Sequence, residues 1–360
     1  MRLFRSISLL LLSALLSACG REPIAEPVDT RQPILFSPSI SVETKTGAKP
    51  DDPTVLISEG SAARVFGTRI QKKAVGDDET ANSVFSNTRL HCDWVQSPLD
   101  ATDPTSSIWS YSPLRYWKEH NTPGYDYADY YFAAVYPFHE NIEVSLDSYY
   151  YLSVSYRAGL NQDLMVARAY RRVETTGVGP VNLSFKHATS AVRFLFGKSS
   201  SSPSDNYTLE DFQLTNLKVG GTLRVLSTIS EDPGIAFGDW NRGATGNLSC
   251  IASLPLSVPY SPANSVNPDD YVPIGWYYMV PQYMSINSAV SFSVSYNGQQ
   301  PVTTVLSLTD CDGISGLDCW NPNCVYNYFI TLTQSGLNLT VKAIPWDEVQ
   351  VTTDPFQFEG

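Results

Sequence analysis

The chain is short of positive charge. Its 360 residues carry 24 Lys and Arg against 36 Asp and Glu, a formal balance of −12. Nucleic acids and anionic membrane surfaces need clustered Lys and Arg, so neither is expected as a partner. Past residue 18 there is no apolar run approaching the roughly 20 residues of a transmembrane helix. Nor is there a long, capped pattern of 3.6-residue period. Catalytic signatures are missing as well: no HExxH, no GxSxG, no P-loop and no GxGxxG in a βαβ context. The four histidines, His91, His120, His139 and His187, fall in no motif, and His187, at a strand start, reads as a structural histidine. Without a converging constellation the chain is expected to be no enzyme and to need no cofactor.

Cysteine is scarce too. Five remain after Cys19: Cys92, Cys250, Cys311, Cys319 and Cys324. An odd number outside the cytoplasm leaves one without a partner in the chain, and the pairing stays open. The stretch DCDGISGLDCWNPNC, residues 310–324, has no CxxC and no nearby histidine, so it is a poor zinc pattern. Asp310, Asp312 and Gly313 resemble the start of a calcium loop, but the closing Glu is absent. No metal is expected; one disulfide, or thiols, fits better.

What is present begins with a targeting segment. Arg2 and Arg5 form a basic start, residues 7–16 are built mostly of Leu, and Leu16-Ser17-Ala18-Cys19 reads as a lipobox. Cleavage before Cys19 and acylation of its thiol are expected. Removing residues 1–18, which hold two arginines and no acid, makes the mature chain more acidic still. Two or three acyl chains give a stable anchor, at about 0.8 kcal/mol per buried methylene. Residues 19–32 are polar and proline-bearing, a tether without a core-forming pattern.

The rest has the composition of strands and turns: aromatics reach 12%, with 21 Tyr, while charged residues are only 17%. Ile34, Phe36, Ile40 and Val42 mark a first strand, followed by a loop carrying Lys45 and Lys49. ARVFGTRIQ (63–71), DYADYYFAAVYPF (126–138) and YYLSVSYRA (150–158) read as strands, whereas DLMVARAYRRV (163–173) is of uncertain type. The glycine-rich TTGVGP (175–180) reads as a domain boundary. DFQLTNLKVGGTLRVL (211–226) gives a hairpin signal around Gly220 and Gly221. AVSFSVSYN, TTVLSLT, VYNYFITLTQ and LNLTVKAIPW add short strands spaced as in a β-sandwich. Tyr111, Tyr116, Trp117, Tyr125, Tyr127, Tyr130 and Tyr131 crowd one region; core packing is favoured over a glycan-stacking face. The sequons at Asn182, Asn206, Asn247 and Asn338 carry little meaning in a bacterial host, which the lipobox implies.

In order along the chain, the lipobox cysteine, ILFSPSI followed by TKT, RVFGTRI, WSYSPLRYW leading into YYFAAVYPF, QDLMVA, LSFKHATSAVRF, MVPQ and the terminal VYNYFITLTQSGLNLTVKAIPW resemble the fimbrillin family. These are the subunits of type V pili of Gram-negative anaerobes. The resemblance spans essentially the whole chain, and it is the order of the pieces that makes it specific. It implies an all-β fold of two transthyretin-like Greek-key β-sandwich domains in tandem, over residues 33–178 and 179–346. It also implies a surface lipoprotein of the outer membrane. A trypsin-like protease then cuts after the first strand, and the strand leaves with its lipid. The C-terminal segment of the next subunit fills the vacated groove. Here the leaving strand is Ile34 to Val42, and the donor lies within 347–360, where Val349 and Val351 alternate, as do Phe356 and Phe358.

One departure stands out. The family's best-known cleavage follows arginine, yet the loop after the first strand offers Lys45 and Lys49, with no arginine before Arg64. Cutting at Arg31 would release the lipid and keep the strand. The expected partners are other copies or other fimbrial subunits, the processing protease and the outer membrane through Cys19. The alternatives are a pilus anchor that keeps its lipid, or a monomeric surface lipoprotein that binds glycan or host protein.

Overall fold

The computed structural model describes residues 32–40, 60–76, 79–95, 107–118, 124–173, 179–199, 201, 206–227, 239–261, 267–309, 319–332 and 337–345. Cys19, Arg31, Val42, Lys45, Lys49, Val349, Val351, Phe356 and Phe358 lie outside them. The fold is all-β. In chain order the strands are β1 (Phe36–Ile40), β2 (Ala62–Lys72), β3 (Glu79–Val95), β4 (Ser107–Ser110), β5 (Tyr127–Tyr136), β6 (Glu143–Leu146) and β7 (Tyr151–Arg157). Next come β8 (Met165–Val173), β9 (Val181–His187), β10 (Ser190–Lys198), β11 (Tyr207–Lys218), β12 (Gly220–Leu226), β13 (Asp239–Arg242) and β14 (Thr245–Leu256). The last are β15 (Val272–Met279), β16 (Gln282–Tyr283), β17 (Ala289–Tyr296), β18 (Val302–Ser307), β19 (Cys319–Trp320), β20 (Cys324–Leu332) and β21 (Leu337–Pro345).

A seven-stranded sheet runs β1-β9-β8-β5-β2-β3-β4. Its middle strands are buried on both faces, which is why β2 and β5 read as nearly unbroken apolar runs. On one face Tyr130, Phe132 and Ala134 of β5 meet Phe36, Phe85, Tyr111 and Trp117. On the other, Ala133 and Val135 meet Leu152, Val154 and Tyr156 of β7 and Leu223 and Val225 of β12. Those last strands belong to a second sheet, β13-β12-β7-β6, whose alternation is plain in β7: Leu152, Val154 and Tyr156 point inward. At the edge of this core β5 is tied to its neighbours by a buried carboxylate. Asp129 accepts from Arg172 Nε at 2.9 Å and from the Tyr170 hydroxyl at 2.8 Å. Burial first, and this carboxylate next, push the Tyr170 pKa up to about 12.

Two further four-stranded sheets, β15-β10-β20-β21 and β14-β11-β17-β18, enclose a separate aromatic core. Phe194, Phe196, Phe212, Phe292 and Tyr328 fill it, and Trp320 donates to the Tyr328 hydroxyl at 2.9 Å. β16 and β19 pair as a small ribbon.

Two readings of the sequence change. Gly220 and Gly221 make no hairpin: β11 pairs with β14 and β17, while β12 pairs with β7 and β13. The glycines serve close approach instead. A Cβ on Gly221 would stand 2.9 Å from the Asn241 carbonyl oxygen, and one on Gly220 3.1 Å from that of Tyr156. The uncertain segment at 163–173 is a full strand, β8, pairing with β5 along its whole length. Strand pairing also crosses the expected boundary at residue 178. β9, which follows it, joins the first sheet beside β8 and β1, and β12 and β13 share a sheet with β6 and β7.

Candidate functional site

The first strand occupies a distinctive seat. β1 runs parallel to β9, Phe36 opposite Val181 through Ile40 opposite Phe185. Parallel pairs need a crossover, and this one spans more than a hundred residues. β1 is an edge strand, which tolerates Pro38 with its missing donor. β4 is the opposite edge of the same sheet, and the sheet curls until the two edges lie side by side. The segments beside them are joined by an isolated bridge between Pro33, just before β1, and Tyr116, beyond β4. Beside it the Ile34 amide donates to the Arg115 carbonyl at 2.8 Å.

Two side chains anchor the strand. Ile34 is wholly buried and Phe36 nearly so. Phe36 sits in an aromatic box, 5.3 Å from the Phe85 ring, 5.5 Å from Phe132 and 5.7 Å from Tyr111, all edge-on. Gly67 lets this box close, since a Cβ there would lie 2.8 Å from Phe85. Burial of the two side chains contributes about 1.5–3 kcal/mol each. The Tyr111 hydroxyl adds a latch, donating to the Ile34 carbonyl at 2.6 Å. Leu35, between the anchors, faces outward. At the far end the Ser39 hydroxyl donates to Asn182 Oδ1 at 3.1 Å.

Of the expected strand residues, Ile34 and Phe36 are therefore inward-facing anchors, and Ile40 closes the pairing opposite Phe185. Sequence reasoning missed the seat itself: the Tyr111 latch, the Arg115 carbonyl, Gly67 and the partner strand β9. Tyr111 was visible only as one aromatic among many. The crowded aromatics go mainly to the core: Tyr111, Trp117, Tyr130 and Tyr131 are buried. His187 is the structural histidine expected, its Nδ1 2.7 Å from Asp163 Oδ2 in a buried pair that Thr189 joins at 3.3 Å. Among the described residues no group of three or more His, Cys, Asp or Glu is placed to hold a metal ion. In the C-terminal core, burial pushes the Cys250 thiol up to about 11, against hydrogen bonds from the Leu214 backbone and Tyr277 that favour the thiolate. Burial likewise raises Tyr277.

An all-β chain of packed sheets, completed at one edge by a short strand from far away in sequence, is a β-sandwich protein of a recurrent type. A Bacteroides uniformis protein provisionally named for cell adhesion shares the fold, with a TM-score of 0.51 at 14% identity, covering 89% of this chain and all of the other. A Bacteroides ovatus protein of the same provisional name aligns with a TM-score of 0.47 at 14% identity, over 88% of this chain and 97% of its own. A fimbrial protein of Bacteroides vulgatus aligns at 0.46 and 12% identity, over 86% and 99%. No curated protein matches the chain. The model of the fimbrillin-like family matches residues 60–346, and the chain belongs to that family. β1 lies ahead of the matched span.

Proposed function

We propose that the chain is a structural and adhesive subunit of a cell-surface fimbria, exported as a lipoprotein through Cys19 and assembled by strand exchange at the seat of β1. One observation carries the reading. β1 is a five-residue strand with a full ladder to one neighbour only, yet it plugs an apolar slot with Ile34 and Phe36. Withdrawing it would expose a row of unpaired backbone groups on β9 and an empty aromatic box, and an incoming strand would satisfy both. The incoming strand is the 347–360 segment of the next subunit, with Val349 and Val351 or Phe356 and Phe358 as its anchors. Cleavage at Lys45 or Lys49 would free β1 together with its lipid; cleavage at Arg31 would leave it seated.

The test has two parts. The first is the intact mass and N-terminal sequence of the protein taken from the cell surface. A start at Thr46 or Pro50 is expected, whereas an acylated Cys19 on the assembled protein would overturn removal of the strand and favour an anchor. The second is a chain beginning at residue 46 mixed with a synthetic 347–360 peptide. Saturable binding competed by a 33–42 peptide is expected. Polymers of normal length from a chain lacking residues 347–360 would sink the exchange mechanism.

A further inference from the structure

β2 and β3 set two arginines directly opposite one another, Arg64 facing Arg89 across the antiparallel pair. Directly opposed residues share a face of the sheet, and here both reach the same ring. The guanidinium carbon of Arg64 stands 4.4 Å from the centre of Phe138, and that of Arg89 5.1 Å. Arg89 is exposed, whereas Arg64 is only 8% exposed. Arg64 is firmly held. Its Nη1 donates to Asn87 Oδ1 at 3.0 Å and its Nη2 to the His139 carbonyl at 2.9 Å. Asn87 reaches it from a bulge in β3, where its backbone is left-handed at φ 54°. Among the described residues the buried Nε of Arg64 has no acceptor.

Among the described residues the arrangement has no counter-charge. Like charges directly opposed in a sheet repel, and a charge taken out of water is costly unless paired. Stacking on Phe138 and hydrogen bonds to neutral oxygens offset part of that cost for Arg64 without supplying a negative charge. The chain has 36 carboxylates, yet among the described residues none comes within ion-pair distance of either arginine. His139 offers Nδ1 to the Asn141 amide at 3.1 Å, and Glu140 beside it is exposed without an ion pair here.

We propose that Arg64 and Arg89 form a binding site for an oxyanion, a carboxylate or a sulfate group borne by a surface ligand. Arg89 makes the exposed contact, its planar fork matching two oxygens of the anion. Arg64 supplies the second charge from beneath, fixed in advance by Asn87 and His139, so little side-chain freedom is lost on binding. Arg64 alternates along β2 with Ala63 and Val65, which pack in the core with Phe36, so the site occupies the other face of the sheet from the β1 anchors.

The test is a calorimetric titration of the full chain in non-ionic detergent, with sodium sulfate and with sodium glucuronate, at ionic strength held constant with chloride. Saturable millimolar binding of at least one anion is expected, weakened fivefold or more by Arg89→Gln. Tighter glucuronate identifies a carboxylate site, tighter sulfate a sulfate site. A second variant guards against a folding artefact. Arg89→Glu places a carboxylate opposite Arg64, so it is expected to abolish anion binding and raise Tm by about 2 °C at low salt. No saturable binding of either anion, binding unchanged in Arg89→Gln, or a lower Tm in Arg89→Glu would each overturn the site.

Discussion

β1 and β21 each finish a sheet at its edge, and they are held very differently. β21 lies antiparallel to β20 through nine residue pairs, with a connection of four residues between them. β1 lies parallel to β9 through five pairs, and the two are about 140 residues apart in sequence. Closing a short connection costs little chain entropy, whereas bringing β1 to β9 means ordering a very long loop for a short ladder. The β20–β21 edge is therefore local, although the same sheet also holds β10 parallel to β20 through eight pairs across more than a hundred residues. The first sheet is completed by a distant strand with only five pairs, whose attachment rests on two apolar anchors and the Tyr111 latch. What the contrast teaches is that β1, with five pairs against the nine of β21, is the more weakly laddered of these two edges, and the exchange reading predicts that it leaves without dismantling the rest.

The largest expected effect separates the two regions directly. Phe292→Ala in the C-terminal core and Phe36→Ala in β1 both empty an aromatic site, a change of about 3–5 kcal/mol. Phe292→Ala is expected to move the main denaturation midpoint by that full amount. Phe36→Ala is expected to leave the midpoint near its original position and instead speed hydrogen exchange at the Val181 amide, which donates to the Leu35 carbonyl. Equal midpoint shifts in the two variants would erase the distinction.

Gly67→Ala sharpens it. The added methyl would press on Phe85 at 2.8 Å and Phe132 at 3.2 Å, the floor beneath Phe36. A loss of about 1–3 kcal/mol is expected, concentrated on β1 and its neighbours. Denaturant titration followed by a probe on β1 and another on β20 would show two midpoints where the parent shows closer ones. Tyr111→Phe is gentler still: it keeps the ring against Phe36 and removes the hydroxyl that holds the Ile34 carbonyl. About 1 kcal/mol is expected, read as faster exchange of the Ile34 amide.

The legible part of the fold was the local part. Dense apolar runs such as β5 and clean alternation such as β7 announce themselves within ten residues. The hairpin expected at Gly220 and Gly221 failed because glycine signals either a turn or a close approach, and the sequence does not distinguish them. At the candidate site Ile34 and Phe36 were readable as inward-facing by their spacing. Their seat was not: Tyr111, Gly67 and β9 come together only through the curl of the sheet. The Arg64–Arg89 pair was equally hidden, because a bulge at Asn87 fixes which residues of β2 and β3 stand opposite.

The smallest expected effect asks whether the C-terminal sandwich stays closed when β1 goes. Cys250 reports on it, since burial among these strands raises its pKa to about 11. A raised thiol pKa leaves the neutral, unreactive form dominant at pH 8, and the thiolate fraction then grows roughly tenfold per pH unit up to that value. Alkylation at Cys250 of the folded chain, read by peptide mass, should therefore be slow at pH 8 and accelerate through pH 10. In a chain beginning at residue 46 the same profile is expected, because Cys250 packs against the C-terminal core whereas Ile34 and Phe36 pack in a different one. A shift of the profile toward the ordinary thiol value near 8.5 would mean that losing the first strand loosens the distant core, and that the two regions do not stand apart.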